Sequence, residues 1–209
     1  TRQYLTAHAE TLADGMRAAC LNSLYSGSRD ETTAGQEGWQ KISRWHGMPC
    51  GGTSADEPIE GNNPSIAMES ASVGSWAEAL SLQLMNQSSH WAAEALAILV
   101  RNALSATVVK GNMIFFQRPN GFANDSYTKD CYKTRTSSEQ RMRSVSRLTR
   151  GWAQVLSSAV MTTAYGCIFN LYEDGEYTML LDGSACRVTV SKPDHASVDF
   201  IFQAREPIG

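Results

Sequence analysis

The sequence predicts an α+β fold: an antiparallel sheet with two or more long helices packed on one face, an α/β sandwich. Three observations predict it. A long amphipathic helix pattern runs from about Ser137 to Thr163, with Met142, Val145, Leu148, Trp152, Val155, Leu156 and Ala159 recurring at helical spacing. Four short runs of strand character follow at once, over 165–172, 176–181, 185–191 and 198–203. Asp174-Gly175 and Asp182-Gly183 stand between the first three, and Asp-Gly favours a hairpin because Gly tolerates positive φ.

Along the chain, Leu5 to Leu24 reads as a first helix, with Leu5, Ala9, Leu12, Met16 and Cys20 on one face. The segment 26–75 reads as irregular: it holds 8 of the 16 Gly and 3 of the 6 Pro, including Pro49-Cys50-Gly51-Gly52. Loops of that length are commonly binding surfaces, lids or linkers. Trp39 and Trp45 inside it predict partial docking, since two solvated indoles would be costly. Two further helices are expected over 75–86 and 89–105, broken at Asn86-Gln87-Ser88-Ser89. Thr107–Val109 and Met113–Gln117 then read as strand, turn and strand.

Within the C-terminal strands, Cys186, Val188 and Val190 alternate with Arg187, Thr189 and Ser191, so one face is expected buried and the other wet. Val198, Phe200 and Phe202 repeat the alternation. The run from Ile168 to Tyr172 is apolar on both faces apart from Asn170, which predicts a central strand. Two Trp-Ala-(Glu/Gln)-x-Leu-Ser segments, 76–81 and 152–157, echo each other, as common core-face residues of helices also would. The 209 residues are expected to form a single domain, 1–209.

Totals narrow the function classes. Only 19% of residues are charged, a weakly charged polar surface that leans toward an extracellular, secreted protein. A net charge of −3 argues against bulk capture of nucleic acid. No apolar run approaches the roughly 20 residues of a membrane-spanning helix. Thr at position 1, and 18 Lys and Arg with no two adjacent, are what a proteolytically processed chain would carry. In an oxidising compartment, Cys20, Cys50, Cys131, Cys167 and Cys186 predict two disulfides and one spare thiol, with unassigned partners. In the cytosol the same five would be small buried residues.

Candidate chemistry is sparse. Cys50, followed by Gly51-Gly52 and preceded by His46, could place a thiolate beside backbone amides that hold an oxyanion. A structural cysteine in a Gly-rich loop explains the same residues. His8, His46, His90 and His195 are dispersed without metal-ligand spacing, and no phosphate-loop, dinucleotide or serine-hydrolase motif occurs. No catalytic residue, metal site or cofactor is therefore assigned. Glu173, Asp174 and Glu176 read as a solvated hairpin tip.

The strongest lead is basic. Seven Lys or Arg fall between Lys129 and Arg150 against Asp130 and Glu139, and Arg143, Arg147 and Arg150 lie at i, i+4, i+7 along one helix edge. Such a row can grip an anionic cell-surface component or an acidic protein partner. It can equally be a solvated face, or pair with the acidic residues of 26–75. The leading expectation is a secreted, disulfide-bearing protein that acts by binding: a toxin, antimicrobial factor or effector engaging a cell surface or partner protein. A viral or other assembly protein, with homo-oligomers formed through exposed strand edges, is the alternative. A cysteine-dependent enzyme is the second.

Overall fold

The computed structural model describes residues 7–54, 59, 61–63, 66–87, 89–109, 112–113, 116–117, 138–163, 166–171, 173–181, 183–192 and 197–204. The protein is α+β, as the periodicities predict, with long helices and antiparallel strands. Where one domain is expected, the chain divides into two compact units, 1–155 and 156–209.

The first unit is built on helices. Helix α1 (Ala9–Ser26) ends at Gly27, whose φ of 69° lets its N–H reach the Ser23 carbonyl at 2.8 Å. Helix α2 (Arg29–His46) follows after two residues. This corrects the irregular reading of 26–75. All three Pro of that segment (Pro49, Pro58, Pro64) lie beyond the helix, while Gly35, Trp39, Ile42, Ser43 and His46 recur on its inward side. Asp30 and Glu31 in its first turn, and Arg44 and His46 in its last, complement the helix dipole.

Strand β1 (Met68–Glu69) leads directly into helix α3 (Ser70–Gln87), which is buried along 14 of its residues and packs on α1, α2 and α4. A helix apolar or small on every side belongs in the middle of a bundle. Helix α4 (His90–Leu99) continues into a π turn (Val100–Leu104) and a 3₁₀ turn (Ser105–Thr107). Strands β2 (Val108–Val109) and β3 (Asn112–Met113) form a short hairpin; β4 (Phe116–Gln117) pairs with β1.

Helix α5 (Ser138–Ala159) crosses α3 with backbone against backbone. A Cβ on Gly151 would sit 2.5 Å from the Gly74 carbonyl oxygen, and one on Gly74 would sit 2.6 Å from that of Arg147. Only Gly permits that approach. Of the stripe read along α5, Leu148, Val155 and Ala159 are buried, but Met142, Val145 and Leu156 are exposed. Small residues and ion pairs set which side faces inward.

The second unit contains β5 (Val160–Thr163) paired with β6 (Gly166–Phe169), and a sheet of β7 (Gly175–Leu181), β8 (Ser184–Ser191) and β9 (Asp199–Ala204) in that order, all antiparallel. Met179, Cys186, Val188 and Val190 form its core, with Val160, Cys167, Phe169 and Phe200 against them. The Phe169 and Phe200 rings lie 4.5 Å apart.

Two strand expectations are corrected. The end of the long helix pattern is strand β5. Among the described residues strand β6 pairs with β5 alone, and the chain leaves it where Asn170 donates from its backbone N to Ala159 (2.8 Å) and from Nδ2 to Ser158 (2.8 Å). Asp174-Gly175 therefore begins β7 rather than joining two paired strands, whereas Gly183 (φ 78°) does turn β7 into β8. The described strands form four separate small sheets rather than one.

Candidate ligand-binding cleft

The arginine row pairs with acidic residues of the neighbouring helices. Arg147 grips Asp14 with two bonds of 2.8 Å and stands 3.7 Å from Glu10. Arg143 reaches the same Glu10 carboxylate at 3.0 Å, and Arg150 pairs with Glu78. Arg17 joins the cluster through Glu78 (2.7 Å) and Asp14 (3.4 Å). Glu10 is 3% exposed, so the row holds α5 to α1 and α3. Its acidic partners come from those helices and not from the 26–75 segment. Asp14 beside Arg147 raises the arginine pKa further, and the guanidinium is charged at every working pH.

The expected disulfides are absent among the described residues. Cys20, Cys50, Cys167 and Cys186 are all free thiols, and Cys131 lies outside the described residues. Two bridges among five cysteines would need at least one bridge within those four, so the two-disulfide expectation is corrected. Cys20 lies in α1 and Cys50 in a loop, while Cys167 packs against the core cluster of the second unit that holds Cys186.

Cys50 has a neutral thiol. Burial pushes its pKa up, its Sγ lies 3.1 Å from Met68 Sδ, and it makes no hydrogen bond to His46. A nucleophile would need the opposite shift and an adjacent base. Cys20 is likewise raised by burial, against a weaker lowering from Asn86. Raised folded-state values stabilise the protein fully below the unfolded thiol value and lose that contribution as pH rises through the folded one. The urea midpoint is therefore expected to fall between pH 8 and pH 10, and Cys20→Ala with Cys50→Ala to flatten that fall; an unchanged slope would contradict these shifts.

The Cys50 loop instead builds a wall. Gly47 and Thr53 form an isolated antiparallel bridge, with Met48 N–H donating to Gly52 (3.1 Å) and Gly51 N–H to Met48 (2.9 Å). Gly51 (φ 87°) lies so close to α4 that a Cβ would meet Leu99 Cα at 2.8 Å. Thr53 Oγ1 accepts from Trp76 Nε1 at 3.0 Å, fixing the loop to the buried face of α3. Trp76 in turn packs edge-on against Trp39 with centroids 5.1 Å apart.

Between α2, this loop and α4 lies an open cleft of about 680 Å³, in the range of small-molecule sites (roughly 300–1,000 Å³). Helix α2 lends Trp39, Gln40 and Arg44; α4 lends Trp91, Glu94 and Ile98; Asn62 also lines it. Trp39 and Trp91 are half-buried, while Gln40, Arg44, Asn62 and Glu94 are exposed. Arg44 stacks over the Trp45 ring at 5.2 Å, which orients its guanidinium. Neither Arg44 nor Glu94 has an ion-pair partner among the described residues. The cleft thus offers apolar faces, amides, one cation and one anion, all within the first unit.

Sequence reading singled out Trp39, Trp45 and the Cys50 loop but not their meeting with Trp91 and Glu94. That meeting needs α2 to be a helix, a feature hidden by the glycine count around it.

No family model matches the chain, and no curated protein matches it in sequence. Among solved structures, a GH127 β-L-arabinofuranosidase from Geobacillus stearothermophilus is similar in fold, with a TM-score of 0.68 at 12% identity. The likeness covers 95% of this chain and 34% of that one, so the chain spans about a third of its length. No described helix is long and apolar enough to cross a membrane.

Proposed function

We propose that the chain acts by binding, that the cleft between α2 and α4 is its working surface, and that its ligand is carbohydrate. The observation that carries this reading is the lining: Trp39 and Trp91 beside Arg44 and Glu94, which have no ion-pair partner among the described residues, with Gln40 and Asn62. A sugar ring has one apolar C–H face and a rim of hydroxyls that both donate and accept. Indole faces suit the first, and amide, guanidinium and carboxylate groups suit the second. The fold likeness to an arabinofuranosidase is consistent with a carbohydrate ligand. An extracellular place of work, expected from the low charge density, suits such a ligand too.

Binding without chemistry is favoured over the cysteine-enzyme alternative because the Cys50 thiol is held neutral against Met68. The test is tryptophan fluorescence of the whole chain titrated with oligosaccharides from arabinan and xylan. Saturable change is expected, weakened at least tenfold in Trp91→Ala. Titration that is unaltered by that substitution would place the ligand elsewhere and refute the reading.

A further inference from the structure

Resting on that reading, we infer that the cleft selects an uncharged oligosaccharide, with Arg44 and Glu94 setting the selection through the opposite charges they lend its lining. The two side chains come from different helices, α2 and α4, and line one cleft. Each is exposed, and neither is neutralised by another residue among the described ones. Together they leave the lining without net charge. A guanidinium fork presents only donors and a carboxylate only acceptors. The hydroxyls of a sugar suit both, since a hydroxyl donates to a carboxylate and accepts from a guanidinium.

An acidic sugar would suit Arg44 but bring its carboxylate into a lining that also carries Glu94, with like charges repelling. An amino sugar would meet the reverse conflict at Arg44. The opposed pair therefore disfavours charge of either sign. Gln40 and Asn62 add neutral amides that tolerate hydroxyls in either role. At about 680 Å³ and open to solvent, the cleft is roomier than one sugar ring needs, and Trp39 and Trp91 give two indole surfaces rather than one. An oligomer with stacked successive rings fits that lining better than a monosaccharide.

The experiment is calorimetric titration of the whole chain with xylo- and arabino-oligosaccharides, oligogalacturonides, chitosan oligomers and the parent monosaccharides. Neutral oligomers are expected to bind at least tenfold tighter than either charged series and than the monosaccharides. Glu94→Gln is expected to weaken neutral binding while narrowing the gap to oligogalacturonide; because Glu94 is exposed on α4, the substitution leaves the fold intact. Arg44→Gln should weaken neutral binding as well. Tighter binding of oligogalacturonide than of any neutral oligomer, lost in Arg44→Gln, would overturn the neutral selection and leave the carbohydrate cleft standing. Failure of every saccharide to bind, or binding indifferent to Trp91→Ala and Glu94→Gln alike, would overturn the cleft reading itself.

Discussion

Gly151→Ala is expected to destabilise the protein by about 3 kcal/mol, the upper part of the range for overpacking a filled interior. The new Cβ would stand 2.5 Å from the Gly74 carbonyl oxygen and 2.7 Å from Gly74 Cα. Backbone atoms of a central helix cannot swing aside as a side-chain tip can. The control is Gly15→Ala in α1, where a Cβ meets no atom within 4 Å. There the ordinary helix preference for Ala over Gly acts alone, and about 0.5–1 kcal/mol of stabilisation is expected. Urea unfolding of the two variants compares opposite signs for one chemical change. Stabilisation by both would mean that α3 and α5 do not meet at these glycines.

Arg147→Met is the second large effect, expected at about 2 kcal/mol of destabilisation, as for removing charge-assisted hydrogen bonds from a partly buried pair. The substitution keeps much of the apolar stem and removes both bonds to Asp14, together with one of the two arginines beside Glu10. Glu10, 3% exposed, is the group left under-compensated. Arg143→Met should cost about 1 kcal/mol or less, because the Arg143 side chain is 53% exposed and its pair is screened. Adding Glu10→Gln to Arg147→Met should restore part of the loss, a coupling that a double-mutant cycle measures directly. If Arg147→Met changes the urea midpoint no more than a surface substitution does, the arginine row is a solvated face.

Helical periodicity located α1, α3, α4 and α5 to within a few residues, because each buries a regularly spaced set of small or apolar side chains. Alternation read β8 correctly: Cys186, Val188 and Val190 are buried, while Arg187 between them is exposed. Helix α2 escaped because Gly35 and Gly38 counted toward a loop, although the spacing of Trp39, Ile42 and His46 is helical. Strand β6 was misjudged because an apolar run does not say how many neighbours a strand has; its pairing is decided by β5 and by Asn170 at the end of α5. The arginine spacing was legible, but its direction was not. A row at i, i+4, i+7 looks the same whether it faces solvent or its partners Glu10, Asp14 and Glu78, which lie 72 or more residues earlier in the chain. The cleft was legible only in parts, since Trp39, Arg44, Trp91 and Glu94 come from two helices joined through a third.

The proposal that the cleft is the working surface is tested most directly by NMR chemical-shift mapping of the whole chain with a neutral xylo- or arabino-oligosaccharide. Saturable shifts are expected at the indole N–H signals of Trp39 and Trp91, at the Asn62 side-chain amide and along Gly47–Gly52. Shifts confined to the outer face of α5 around Met142 and Val145, with the Trp91 indole signal unmoved, would contradict it.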